Sequence, residues 1–324
     1  MSRQARRERV AAAAGPTTWS GPPTEPGPQL DRFRALLSTG DPVLADGAMG
    51  TMLFASGLAS GDPPETWNLA HPDVVRAIHR GYLDAGARIL LTNTFGANRL
   101  RLALHRLEGR VEHLNRTAAI LLRAEVTASG REALVAGDIG PSGEIMAPLG
   151  TLERDAAIDV FAEQAGALVA GGADLLWIET MSDLAEMAAA VAGARRASPS
   201  TPLVATMTFD TRGHTMMGVS PEAAAEALVA LGVDAIGGNC GNGPDELLPV
   251  IERMRAVAPD IPLVAKPNIG IPVFVGARAE YRTPPEAMAD EATSLRAAGA
   301  TVIGACCGST PAHLAAMAAA LEDD

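Results

Sequence analysis

The chain has 324 residues, 48% of them apolar, enough to bury a core as one large domain or two small ones. Its net charge of −12 argues against nucleic acid or an anionic membrane as partner. The three cysteines are an odd number and suggest no disulfide framework; reduced thiols suit a cytoplasmic setting, and no apolar run reaches the ~18 residues that span a bilayer.

Residues 1–30 carry four Arg against two Glu, a net of +2, which leaves about −14 for residues 31–324. The tract Gly15-Pro16-Thr17-Thr18-Trp19-Ser20-Gly21-Pro22-Pro23 has little to bury, so residues 1–30 are expected to be a disordered leader. Trp19 is the one residue there with surface enough to dock on a domain.

From Asp31 the pattern alternates between short apolar runs and longer segments of helical spacing. Predicted strands are Val43–Asp46, Arg88–Thr94, Leu134–Asp138, Leu175–Glu179, Leu203–Phe209, Ala235–Asn239, Leu263–Pro267 and Val302–Cys306. Predicted helices are Pro72–Ala85, Glu112–Ala128, Arg154–Ala170, Asp183–Ala197, Pro221–Leu231, Pro244–Ala258, Pro285–Ala298 and Pro311–Leu321. Ser220-Pro221 and Thr310-Pro311 place a capping residue ahead of a first-turn proline, and Gly86, Gly171, Gly232 and Gly299 stop helices shortly before the next strand. Strands this apolar are buried on both faces, which means a parallel sheet.

Eight strand–helix units predict an α/β fold, a single-domain (β/α)8 TIM barrel over residues 31–324. A doubly wound sheet is the alternative, weakened because no G-x-G-x-x-G follows an early strand. In the barrel, Asp46, Asn93, Thr94, Asp138, Glu179, Cys240 and Cys306-Cys307 all fall at the C-terminal ends of strands, the end where barrel active sites lie.

Cys240 closes the run Ala235-Ile236-Gly237-Gly238-Asn239, and Cys306-Cys307 lie between Gly304 and Gly308 after Val302-Ile303. Adjacent side chains of a regular strand point to opposite faces, so two neighbouring cysteines share a metal only if the backbone turns, which the flanking glycines permit. Cys240, Cys306 and Cys307 are therefore read as the three ligands of a zinc ion, with the fourth position left for substrate. Buried structural thiols and a vicinal redox disulfide are the alternatives. Three thiolates leave the ion electron-rich, which suits binding and activating a substrate thiol for alkyl transfer.

With these residues placed, the chain resembles the homocysteine S-methyltransferase family from about Val43 to Met317. The resemblance rests on Asp46-Gly47-Ala48-Met49-Gly50-Thr51, Thr92-Asn93-Thr94-Phe95, Gly137-Asp138-Ile139-Gly140-Pro141, Ile178-Glu179-Thr180, Gly238-Asn239-Cys240-Gly241 and Gly304-Ala305-Cys306-Cys307-Gly308. It implies a zinc-dependent barrel that methylates L-homocysteine to methionine, with Cys240, Cys306 and Cys307 on the metal. It also implies that Asp46 and Glu179 take the amino group, and that the Gly47, Ala48 and Met49 amides lie at the carboxylate. Thr94 and Asn239 are further candidates at the substrate, Asn239 equally as a positioning residue.

Other stretches are closest in look to bacterial betaine–homocysteine methyltransferases, which implies a small onium donor, betaine or S-methylmethionine. Thr180 and Gly96 stand where animal enzymes of that name would carry aromatic residues. Trp67, Phe95, Trp177 and Tyr281 are then the candidates for a cation–π contact with the donor. Cobalamin-dependent methionine synthases resemble the chain in their first barrel, so it could instead activate homocysteine for a separate corrinoid protein. A Schiff-base lyase using Lys266, the one lysine, is the alternative from another class. His214 is a loop histidine that could face the site, and His313 is read as structural. A monomer or homodimer is expected.

Overall fold

The computed structural model describes residues 28–275 and 278–323. The expected leader lies almost wholly outside the described residues, and so does Trp19. Residues 28–30 do not belong to it. They open helix α1, Pro28–Leu37, with proline at the first turn and Phe33 and Leu36 buried.

The barrel strands are β1 (Val43–Leu44), β2 (Ile89–Leu91), β3 (Leu134–Ile139), β4 (Leu175–Met181), β5 (Leu203–Met207), β6 (Ala235–Cys240), β7 (Leu263–Pro267) and β10 (Val302–Ile303). All neighbours pair in parallel, in the order β1-β10-β7-β6-β5-β4-β3-β2, and an Ala45–Ile89 bridge brings the two edges together. This is the expected eight-stranded barrel. β8 (Val273–Val275) and β9 (Arg278–Glu280) form an antiparallel hairpin after β7 that the sequence reading did not anticipate.

The eight principal helices fall within two residues of their predicted bounds. They are α4 (Pro72–Asp84), α6 (Val111–Ser129), α7 (Arg154–Ala170), α8 (Leu184–Ala197), α9 (Pro221–Ala230), α10 (Pro244–Val257), α11 (Pro285–Ala297) and α12 (Pro311–Asp323). The short helices α2 (Met49–Ala55), α3 (Trp67–Ala70) and α5 (Arg99–Ala103) decorate the loops after β1 and β2.

Strand parity divides the core. Val43, Ala45, Ile89, Leu91, Leu134, Ala136, Leu175, Trp177, Val204, Ala235, Val264 and Val302 pack inside the barrel, where Phe33 and Leu36 of α1 join them from below. The intervening residues, such as Leu44, Leu90, Val135, Leu176 and Ile303, pack outward against the helices. Continuing the inner parity by two residues reaches Asp138 on β3, Glu179 on β4, Thr206 on β5 and Lys266 on β7; by four, past Gly237 and Gly304, it reaches Asn239 on β6 and Cys306 after β10. The polar layer at the mouth is thus the next storey of the same stack.

Candidate metal centre and active site

β6 and the segment after β10 bring Cys240, Cys306 and Cys307 together, and their sulfurs all lie within 4.8 Å of one another. All three are free thiols, with Cys240 Sγ 2.8 Å from Cys306 Sγ. Four ligands at ~2.3 Å around a tetrahedral ion leave their sulfurs about 3.8 Å apart, so the trio surrounds such an ion once that pair parts by about an ångström.

The backbone is shaped to make this possible. Cys240 itself adopts the left-handed region, φ 59°, as Thr180 does at φ 63°. Such conformations persist in non-glycine residues only where the surroundings hold them. A Cβ at Gly237 would lie 1.9 Å from the Val264 carbonyl oxygen, so no other residue allows β6 and β7 this approach. Gly308, at φ 88°, turns the chain beneath the Tyr281 ring.

The thiols titrate as one group. Hydrogen bonds from Cys240 and Cys306 pull the Cys307 thiol down to about 4. Hydrogen bonding to the other two cysteines, together with burial, pushes the Cys240 thiol up. The Cys306 thiol is pushed up to about 12, so the trio shares its negative charge mainly at Cys307, and three facing sulfurs are a donor set that a soft divalent cation takes.

Asn239, buried between β4 and β6, holds Cys240 in place. Its Oδ1 accepts from the Thr180 amide at 2.9 Å and the Thr206 hydroxyl at 2.7 Å; its Nδ2 donates to Thr180 Oγ1 at 2.7 Å and to Cys240 Sγ at 3.6 Å. Of its two candidate roles, these bonds favour positioning. Asn268 has the matching part on the other side, its Oδ1 accepting from the Cys307 amide at 2.9 Å; the sequence reading did not single it out.

A cavity of about 430 Å³ opens above the cysteines, with Asp46, Thr94, Phe95, Asp138, Glu179 and Lys266 in its wall. A larger groove of about 1000 Å³ lies at the opposite end, between α1 and α9. Among the described residues it gathers no cysteine and no buried side chain lacking a partner.

The predicted residues fare differently inside the cavity. Asp46 Oδ2 accepts from the Leu91 amide at 2.8 Å, and Oδ1 accepts from Lys266 Nζ at 2.9 Å. Both partners of that ion pair are buried, and Lys266 also lies over the Trp177 ring, 5.4 Å from its centroid. Burial alone would lower the Lys266 pKa, but Asp46 and Glu179 raise it on balance, so the amine stays protonated. A Schiff-base lysine needs the neutral amine, and the lyase alternative loses its nucleophile. Trp177 is fully buried and faces the chain's own cation, which removes it as a contact for a donor.

Glu179 Oε2 and Asp138 Oδ1 are buried without a hydrogen-bond partner. Burial pushes the Glu179 carboxyl up to about 8 against the pull of Lys266, and burial with the nearby Glu179 charge raises Asp138. Two such oxygens facing a cavity are free to accept hydrogen bonds from a bound ligand.

Around Asp46 the loop is closely packed. A Cβ at Gly47 would meet Ser309 Oγ at 2.5 Å and the Tyr82 and Leu314 side chains at 2.8 Å. The Ala48 amide donates to Ser309 Oγ at 2.9 Å, so it is already engaged. Met49 opens α2, whose first turn has no side-chain cap. The Thr94 hydroxyl is used within the wall, on Thr92 Oγ1 at 2.6 Å and the Asp138 carbonyl at 2.7 Å.

Of the remaining aromatic candidates, Phe95 lines the cavity, Tyr281 lies against the cysteines and Trp67 packs on His71 at 4.3 Å between ring centroids. Gly96 has its own reason. Its amide donates to Glu65 Oε1 at 2.6 Å, and an added Cβ there would come within 2.7 Å of that oxygen. His214 bonds back to the Arg212 carbonyl in its loop, and His313 ties Thr310 to the Thr283 carbonyl.

Residues 43–321 match the homocysteine S-methyltransferase family. Among characterised relatives, methionine synthase of Mycobacterium tuberculosis is 36% identical over 295 residues, covering 87% of this chain and 25% of that protein. Methionine synthase of Mycobacterium leprae is 35% identical over 293 residues. The chain therefore spans about a quarter of the length of these relatives. The metallated form of the Escherichia coli homocysteine methyltransferase MmuM superposes with a TM-score of 0.75 at 27% identity, covering 89% of this chain and 99% of that one. Its oxidised form gives 0.76, again at 27% identity. On the match across nearly the whole barrel, the chain belongs to the homocysteine S-methyltransferase family.

Proposed function

We propose that the chain transfers a methyl group from a small onium donor, betaine or S-methylmethionine, to the sulfur of homocysteine, giving methionine. The observation that carries this reading is the convergence of Cys240, Cys306 and Cys307 at the floor of a cavity whose wall holds buried carboxyl oxygens without a hydrogen-bond partner. Zinc held by those three cysteines would lower the pKa of a substrate thiol and keep it nucleophilic.

The chain's own residues do the rest. Asn239 and Asn268 fix the backbone and sulfur positions of the trio. Glu179 takes the substrate ammonium, and the Met49 and Gly50 amides meet its carboxylate. The cavity holds the reactants in line, which supplies much of the acceleration. The new carbon–sulfur bond forms as the donor's carbon–nitrogen or carbon–sulfur bond breaks. The leaving group departs neutral, so no side chain has to protonate it.

Methionine formation by the purified, zinc-loaded chain tests this, with betaine, S-methylmethionine and methylcobalamin offered separately. Turnover with either onium compound, lost on chelation, is the expected result. Turnover in a metal-free sample would reject it.

A second reading is that the methyl group arrives on a separate corrinoid carrier. One observation favours it. Exposed Phe54, Leu104, Leu149, Met216 and Ile271 all lie in segments that follow barrel strands, placing apolar surface around the mouth where a partner could dock. Turnover with methylcobalamin alone would select it.

A further inference from the structure

Two carboxylates at strand ends, Asp46 and Glu179, are the expected holders of the substrate ammonium. The structure makes them unequal. Asp46 spends one oxygen on the Leu91 amide and the other on Lys266, and its charge is already met by a buried amine. Glu179 and Asp138 are each more than nine-tenths buried, both line the cavity, and each has an oxygen with no hydrogen-bond partner. A second ammonium placed at Asp46 would sit beside Lys266 and repel it; placed between Glu179 and Asp138 it would satisfy two orphaned acceptors at once.

We propose that Asp138 is the second ammonium-binding residue of this site, paired with Glu179, and that the Lys266–Asp46 pair is an internal wall that excludes the substrate cation from Asp46. This rests on homocysteine being the substrate. The lysine is what moves the site: it enters from β7 at the inner parity, one strand from β10 and two from β1, and takes the place that a free ammonium would otherwise claim. Asp138 and Glu179 are adjacent inward residues on paired strands, Asp138 being in register with Trp177 and Glu179 two residues beyond it. Such neighbours can share one ammonium through charge-assisted hydrogen bonds.

The test compares two thiols on the zinc-loaded chain by calorimetry: homocysteine, and 4-mercaptobutanoate, which lacks only the amine. The ratio of their dissociation constants isolates the ammonium contact from the sulfur contact. Asp138→Asn should cut the preference for homocysteine roughly 10- to 100-fold while leaving 4-mercaptobutanoate within about threefold, the loss expected of one charge-assisted hydrogen bond. Asp138→Ser gives a second variant should the amide disturb packing. The double variant Asp46→Asn/Lys266→Met, which removes both charges of the pair, should keep the preference within about threefold. An unchanged ratio in both Asp138 variants, or a collapse of the ratio in the double variant, overturns the assignment. Wild-type protein that binds 4-mercaptobutanoate and homocysteine equally overturns it too, while binding of neither thiol would sink the homocysteine reading itself.

Discussion

The Asn239 side chain donates to Thr180 Oγ1 at 2.7 Å and to Cys240 Sγ at 3.6 Å, tying the end of β4 to a sulfur of the cysteine trio on β6. The two residues it joins are also two of the non-glycine residues with positive φ. Removing the amide with Asn239→Ala releases both. The expected loss is 10- to 100-fold in zinc affinity, the usual effect of deleting an outer-shell partner, with methyl transfer falling alongside. Competition with a chromogenic chelator reads it directly; unchanged affinity would show that the backbone holds Cys240 without help.

Cys240→Ser, Cys306→Ser and Cys307→Ser should each abolish stoichiometric zinc and lower turnover by about two orders of magnitude or more. The circular dichroism spectrum should stay that of the wild type, because the barrel core lies below the cysteines. Zinc content by emission spectroscopy and methionine formation are the two measurements. A cysteine whose replacement spared both would not be a ligand.

Lys266→Met strands Asp46 as a buried charge without its partner, and roughly 3–5 kcal/mol of stability should go with it. Adding Asp46→Asn should restore most of that loss, since no charge is then left unpaired. Urea unfolding of the wild type, the single and the double variant closes the cycle. Borohydride should trap no carbonyl compound on the wild-type chain, because Lys266 is held protonated.

His79 on α4 is fully buried, both ring nitrogens lack a partner, and burial pulls its pKa from the usual 6.5 to about 3. Between those values the unfolded chain binds a proton that the folded chain refuses. Stability contributed by the neutral ring is therefore present above pH 6.5 and lost as the pH falls towards 3. His79→Leu should match the wild type within about 1 kcal/mol at pH 7 and exceed it by about 2–3 kcal/mol at pH 4.5. Unfolding curves at the two pH values decide it; an equal difference at both would mean that the ring titrates normally.

The barrel was legible because its strands are apolar on both faces and its helices carry proline starts and glycine stops; the cysteine cluster was legible because a glycine stands within two residues of every cysteine at a strand end. What escaped the sequence depended on pairing across strands. Lys266 looked like a lone nucleophile because nothing in the run Leu263–Pro267 reveals that its amine faces the Asp46 carboxylate. Trp177 looked like a donor contact, although its place two residues before Glu179 on β4 puts it one storey deeper, inside the sealed core. Helix α1 was read in part as leader because the prolines before it suggest disorder, yet Pro28 occupies a helical first turn and Phe33 and Leu36 plug the barrel floor. Asn268 and Ser309 were overlooked because each serves a backbone amide from a distant segment, a role without local pattern.

The left-handed backbone of Cys240 has an evolutionary corollary. A glycine at that position would relieve on the order of 1 kcal/mol of strain and delete a sulfur in the same stroke. Directed evolution for heat resistance alone would therefore be rewarded for erasing one sulfur of the trio, and a library screened without selecting for catalysis should accept glycine at residue 240 as readily as at the other left-handed positions, Arg106, Thr180 and Arg212.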